Sequence, residues 1–394
     1  VTPANVVKFE KSGAEMQSSP QQVVPIRTPE SSFDDDVLTV LQPDGKLNPQ
    51  NDPKLPVETV VDLYKAMVRT RIVDEQLVRL QRQGRIGFHI GSLGEEACIL
   101  GSAAAMRPHD WIFPCYREFG ALLFRGFPLQ SYLDNMYGNA DDLVKGRQMP
   151  DHYTGRAFRF GSVSSPIGTQ ITQAVGFAWA AKHKGKDEVS SVYFGEGATS
   201  SAEFHTGLNF AGVMKAPVIF LCRNNRWAIS VPSEKQTASK TFADKGLAYG
   251  VPAVRVDGND ILATYKIVRD CVERAAKGEG PFLVEMLTYR VGGHSTSDDP
   301  RAYRMQDEVE EWRRTDPVLR LRKHLDERKA WDDAKEDAFR KLVEGELKEC
   351  ITAAEAKPKP ALETIFDGVF AEKPWHLEEQ YEQCVKGPRP KEHH

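Results

Sequence analysis

The chain runs to 394 residues, enough for a full α/β core, and its 52 Lys and Arg against 56 Asp and Glu leave a net charge of −4. That near balance excludes the basic field of a nucleic-acid binder, and with no long apolar run and no signal-type N-terminus the expectation is neither a membrane span nor export. Six cysteines, at 98, 115, 222, 271, 350 and 384, lack any Cys-x-x-Cys spacing; this argues against a disulfide framework or structural zinc and points to a reducing compartment, the bacterial cytoplasm or alternatively the mitochondrial matrix.

Residues 1–54 are rich in Pro, Ser, Gln and Asp with short apolar pieces such as Val37 to Leu41, which predicts an extended arm lying over a partner. After Pro56 the stripe Val60, Tyr64, Met67, Val68 and Ile72 predicts a long amphipathic helix closed by Gly84. Further helices are expected near 94–106, 117–126 and 169–183, then a strand at 189–194, a helix at 200–213 and a strand at 217–222. The alternation continues with a strand near 253–256, a helix near 260–277 and a strand at 282–287. It implies an α/β fold with a doubly wound, mainly parallel sheet. Beyond Asp307 the chain turns charged and helical, with Pro317 opening one helix and Asp332 capping another, until Pro358 and Pro360 end the pattern. The expected organisation is an arm over 1–54, an α/β domain with C-terminal helices over 55–356, and a tail over 357–394.

The densest chemistry lies in Val189 to Glu203, where an apolar run ends in Gly195-Glu196-Gly197-Ala198 and Ser200-x-x-Glu203 has the form of a capping box. A phosphate suits such a helix N-terminus. The second apolar run, from Pro217, ends in Arg223-Asn224-Asn225, so that two strand ends carry oxygen donors, Glu196 and Asn225, of the kind that suits Mg²⁺. An ordinary strand-to-helix turn would explain the glycines alone. Arg223 ends an apolar strand, where its charge requires an anion.

Tyr116-Arg117-Glu118 sets a phenol beside a guanidinium suited to phosphate, although those residues alone favour a surface ion pair within a helix. Tyr289 to Pro300 packs two glycines, His294, three aliphatic hydroxyls and two carboxylates into one connector. His294 titrates near neutrality when unperturbed and suits proton exchange or phosphate binding; the competing reading is a loop His capping backbone groups. In Ser164-Ser165-Pro166-Ile167-Gly168 the composition is that of a tight turn, whose carbonyls are free to face a ligand or a monovalent cation.

Together these pieces resemble the thiamine-diphosphate family, whose signature runs from Gly-Asp-Gly to Asn-Asn, and within it the E1 α subunits of 2-oxo acid dehydrogenase complexes. Gly91-Ser-Leu-Gly-Glu-Glu96, Gly146-Arg-Gln-Met-Pro150 and Tyr289 to Asp299 extend the resemblance over roughly residues 55–375. Glu196, where Asp is usual in pyruvate-type members, resembles the branched-chain 2-oxo acid type. The resemblance implies thiamine diphosphate and Mg²⁺ as cofactors, with Glu196, Asn225 and the Trp227 carbonyl on the metal. It further implies Tyr116, Arg117, Arg223 and His294 on the diphosphate, Gly195, Gly197 and Ala198 beside it, and the Ser165 and Ile167 carbonyls at the aminopyrimidine. His294 would also stand near the reacting carbon as a catalytic residue. A β subunit in an α2β2 assembly and the lipoyl domain of an E2 core are the implied partners, and a branched-chain 2-oxo acid the substrate. Ser295 would occupy a kinase-regulated position, and Met305 stands where the second regulated Ser would be. The alternatives are a pyruvate or acetoin dehydrogenase α subunit, and a non-catalytic scaffold with the same sheet.

Overall fold

A computed structural model describes residues 37–388. The elements in chain order are α1 (Val57–Arg82), α2 (Glu96–Ala105), β1 (Trp111–Phe113), α3 (Phe119–Phe124), α4 (Leu129–Tyr137), α5 (Thr169–His183), β2 (Ser190–Gly195), α6 (Ala202–Met214), β3 (Val218–Asn224), β4 (Trp227–Ala228), β5 (Val231–Pro232), β6 (Ala253–Asp257), α7 (Ile261–Ala276), β7 (Phe282–Leu287), α8 (Gln306–Arg313), α9 (Pro317–Glu327), α10 (Asp333–Glu355) and α11 (Trp375–Lys386). Five strands form one sheet in the order β1-β2-β3-β7-β6, every neighbouring pair parallel. A short antiparallel hairpin, β4 with β5, stands apart from it.

The strand interiors are mostly apolar because both faces are covered. Val192, Phe194, Phe220 and Cys222 pack with Ile171 of α5 and with Phe204 and Leu208 of α6. The alternate residues Tyr193, Ile219 and Leu221 pack on the opposite face with Ile99 of α2 and Ile267 of α7. The crossover from β2 to β3 therefore runs on one face and that from β6 to β7 on the other. Their reversal leaves a switch point between β3 and β7, where ligands of open α/β sheets bind at the carboxyl ends of the strands. The expected doubly wound parallel sheet is present, and α5 has the predicted bounds.

Differences from the sequence expectations have local causes. β1 is a three-residue edge strand that pairs with β2, too short to show a pattern. The helix after β2 is capped by Ser201, whose Oγ accepts from the Phe204 N–H at 3.3 Å, not by Ser200, which belongs to a 3₁₀ turn over Glu196–Ser200. α11 occupies part of the segment read as a tail. Of the arm, residues 1–36 lie outside the described residues, whereas the apolar piece at 37–41 packs on its own sheet. Leu38 bridges Val256 at the β6 edge, and the Val40 and Leu41 N–H groups donate to Asp260 Oδ2 at 2.7 and 2.5 Å. The other oxygen of Asp260 caps α7. Among the described residues, no helix is long and apolar enough to cross a membrane.

The α2–α7 contact supports the sheet face beneath the switch point. A Cβ on Gly101 would lie 2.8 Å from the Ile261 carbonyl and 3.1 Å from Thr264 Cβ, so only glycine permits this approach. Gly101→Val is expected to lower unfolding free energy by about 1–3 kcal/mol through overpacking, read as a lower urea midpoint.

Candidate functional site

Three strand ends converge at the switch point. β2 delivers Gly195 and Glu196, β3 delivers Arg223 to Asn225, and β7 opens the loop that carries Arg290 and His294. Gly197 is required by a close approach, since a Cβ there would lie 2.6 Å from the Ala228 Cβ of β4. Glu196 and Ala198 are buried at this turn.

Glu196 accepts from the Asn225 N–H and from Gln236 Nε2, both at 3.3 Å. Burial pushes its carboxyl up to about 7, against those two hydrogen bonds and with the nearby Glu95 charge. No Lys or Arg pairs with it among the described residues. Asn225 Nδ2 donates to Glu95 Oε1 at 3.0 Å, and Asn225 Oδ1 accepts from the Trp227 N–H at 3.3 Å. The Trp227 carbonyl accepts from Arg290 Nη1 at 3.1 Å and keeps a second lone pair. Among the described residues no cluster of three His, Cys, Asp or Glu is disposed to hold a metal. The donor set here is of another kind: one carboxylate, one amide oxygen and one main-chain carbonyl. A small hard cation with few protein ligands fits such a set, and a buried carboxylate without a cationic side chain favours it.

Arg223 is 1% exposed and reaches Glu95 at 2.6 Å and Glu118 at 2.7 Å. Burial works against its charge, and the two carboxylates outweigh burial and hold it protonated. The anions that the strand-end charge requires are thus supplied by this chain, from the α2 and α3 N-termini. One donor, Arg223 Nε, remains buried without a hydrogen-bond partner.

Arg117 is buried just ahead of α3, which overturns its reading as part of a surface ion pair. It donates to the Gly91 carbonyl and to the His294 carbonyl, the latter at 2.8 Å, and its Nη2 lies 3.2 Å from His294 Nδ1. Tyr116 meets the His294 ring edge-on, with centroids 6.0 Å apart. Burial, then the Arg117 and Arg290 charges, lower His294 to about 3, with Asp298 opposing. The imidazole is therefore neutral at pH 7 rather than titrating near it. Since Arg117 donates to Nδ1, the ring proton belongs on Nε2.

The Ser165–Ile167 turn precedes α5 at the same end of the sheet, where a Cβ on Gly168 would collide with Ser201 Oγ. Ser165 Oγ lies 2.6 Å from His152 Nε2, while His152 Nδ1 faces the Pro150 carbonyl at 3.0 Å. Both Ser165 and Ile167 are exposed, so this turn forms an open rim beside the buried cluster. Sequence reasoning passed over Glu95 and Arg290. Adjacent glutamates opening an otherwise apolar α2 were the available sign for Glu95, since buried acids at such a place need cations.

The family model for the dehydrogenase E1 component matches residues 64–363. The 2-oxoisovalerate dehydrogenase subunit alpha, mitochondrial, of Bos taurus is 45% identical over 352 residues, covering 89% of this chain and 77% of that protein. Its Homo sapiens counterpart is 44% identical, with 89% and 79% covered. The Caenorhabditis elegans protein of the same name is 43% identical over 339 residues, with 86% and 78% covered.

Proposed function

This chain belongs to the dehydrogenase E1 component family, and we propose that it is the α subunit of a thiamine-diphosphate-dependent E1 that oxidatively decarboxylates branched-chain 2-oxo acids. The observation that carries the reading is the buried Glu196–Asn225 pair, two oxygen donors without a cationic side chain, set beside Arg117 and His294. The names of the relatives support the branched-chain substrate and a mitochondrial compartment.

Glu196, Asn225 and the Trp227 carbonyl would hold Mg²⁺. Arg117, Tyr116, His294 and the free Nε of Arg223 would take the diphosphate oxygens, with Gly195, Gly197 and Ala198 lining their approach. The carbonyls of the exposed residues Ser165 and Ile167 would meet the ring end, and the same turn offers main-chain oxygens to a monovalent cation. Thiamine diphosphate, when bound, supplies the electron sink for decarboxylation. The chain's own part is to bind and orient. Its buried cluster addresses an anion and a metal, while the rim at Ser165 and Ile167 is open, which supports a β subunit closing the other half. Acyl transfer to the lipoyl domain of an E2 core then belongs to the assembled complex.

Calorimetry on the α/β complex tests the cofactor. Asn225→Ala is expected to weaken thiamine diphosphate binding in the presence of Mg²⁺ by about 10- to 100-fold, as loss of a group ordering a metal site does, and Ser295→Ala to change it little. Equal affinities would remove Asn225 from the site, and no binding by the parent complex would favour a scaffold. Substrate turnover tests the specificity: preference for pyruvate over 3-methyl-2-oxobutanoate would overturn the branched-chain assignment.

A further inference from the structure

One buried polar arrangement has no part in the cofactor contacts. His89 is fully buried, with Nε2 2.8 Å from Asp74 Oδ1 and Nδ1 3.0 Å from Asp151 Oδ2. Only a doubly protonated ring donates to both carboxylates. Burial opposes that charge, but Asp151 and then Asp74 outweigh it and raise the imidazole to about 10. The neighbours complete the enclosure: the Phe119 ring of α3 lies edge-on at 5.9 Å, and Tyr132 of α4 donates to Asp151 Oδ1 at 2.6 Å.

The same carboxylates also hold the backbone that follows His89. Asp151 Oδ2 accepts from the Ile90 N–H at 2.6 Å, and Asp74 Oδ2 accepts from the Ser92 N–H at 2.7 Å. Between them Gly91 has no room for a Cβ, which would lie 2.5 Å from Asp74 Oδ1. Residues 89–93 thus form a strap fixed from both sides, and its main chain reaches the candidate site. The Thr296 N–H donates to the His89 carbonyl at 2.9 Å, and the His89 N–H donates to Thr296 Oγ1 at 3.0 Å. Val291 N–H donates to the Leu93 carbonyl at 3.1 Å, and the Gly91 carbonyl accepts from Arg117.

We propose that His89 is a positioning residue: as an imidazolium joining Asp74 to Asp151, it fixes the strap on which Arg117 and the 291–296 loop dock, so that His294 is placed before any ligand enters. A neutral side chain with a single donor would leave one carboxylate buried and uncompensated, and the strap would be held from one side only. The functional consequence rests on the reading of Arg117 and His294 as diphosphate contacts; the structural claim does not.

Hydrogen–deuterium exchange on the full chain without cofactor tests the structural claim, in His89→Gln and in Asp151→Asn, the second keeping shape while removing one charge. Amides of 291–298 are expected to exchange about tenfold faster in both, with α6, on the far face of the sheet, unchanged, as local opening implies. In the α/β complex the same variants should bind thiamine diphosphate about tenfold more weakly, while turnover at saturating cofactor stays within about twofold, the pattern of a group that orients others. Parent-like exchange of 291–298 in the folded variants would overturn the proposal, and so would equal loosening of α6 and the loop. If His89→Gln does not fold, Asp151→Asn decides. If the parent complex binds no thiamine diphosphate, the cofactor reading fails and the exchange result still judges the strap.

Discussion

Arg223→Ala is expected to destabilise the protein by about 3–5 kcal/mol, the cost of leaving buried charge uncompensated. Glu95 and Glu118 are both fully buried, and Arg223 is the cation within 2.6 and 2.7 Å of them. Removing it strands Glu118 and leaves Glu95 with Arg117 Nε alone, at 3.7 Å, so two buried carboxylates of like sign share one cation between the sheet and the α2 and α3 N-termini. Burial already raises Glu118 above its ordinary value, with Arg223 opposing, so loss of Arg223 would favour its protonated form further. The deficit should accordingly shrink as pH falls, because protonation removes the stranded charge. Urea unfolding at two pH values measures both effects. A triple variant, Arg223→Met with Glu95→Gln and Glu118→Gln, should recover much of the stability, because it replaces the ionic trio with neutral groups of similar volume. It should still bind the cofactor weakly if the free Nε of Arg223 is a diphosphate contact. A parent-like midpoint for Arg223→Ala would show that the trio is not held by charge.

The same trio shows where the sequence is legible and where it is silent. β2 and β3 stand out as apolar runs because both their faces are covered, and the Gly195–Glu196 and Asn224–Asn225 ends mark where those runs give way to buried polar groups. Local patterning is enough for that, as it is for α5 and for the Asp332 cap of α10. It is not enough for Arg223, whose need for an anion is readable while the donor of that anion is not. Glu95 lies 128 positions away, and only the fold brings it there. His89 and Asp151, 62 positions apart, are hidden for the same reason: each alone is an ordinary polar residue in a connector. The sequence likewise shows that Tyr116-Arg117-Glu118 is charged but not that Arg117 and Glu118 are buried, since burial comes from distant segments such as α2 and the 291–296 loop.

His294→Ala in the α/β complex is expected to lower decarboxylation by about 10²- to 10³-fold, the cost of removing one preorganised hydrogen-bond donor from a buried site. Protonation state decides which role the ring can play. Arg117 donates to Nδ1 and its charge, after burial, holds the imidazole down at about 3, so the group at work near pH 7 is a neutral ring with its proton on Nε2. Without bound anion such a ring donates one directed hydrogen bond and is a weak base. His294→Gln, which restores a donor with looser geometry, should therefore recover part of the lost rate, whereas a proton shuttle would not be rescued by an amide. The pH dependence of stability gives an independent check. A histidine depressed from 6.5 to about 3 in the folded state contributes stability that is fully present above pH 6.5 and is lost as pH falls through that window, because the unfolded chain takes up a proton that the folded one refuses. His294→Ala should flatten this part of the stability curve. A polyanion at Arg117 opposes the arginine charge and raises the imidazole, so added thiamine diphosphate should narrow the window in the parent and leave the variant's curve without that change. Parent-like turnover in His294→Ala, with an unaltered acid limb, would return this residue to a structural role in its loop.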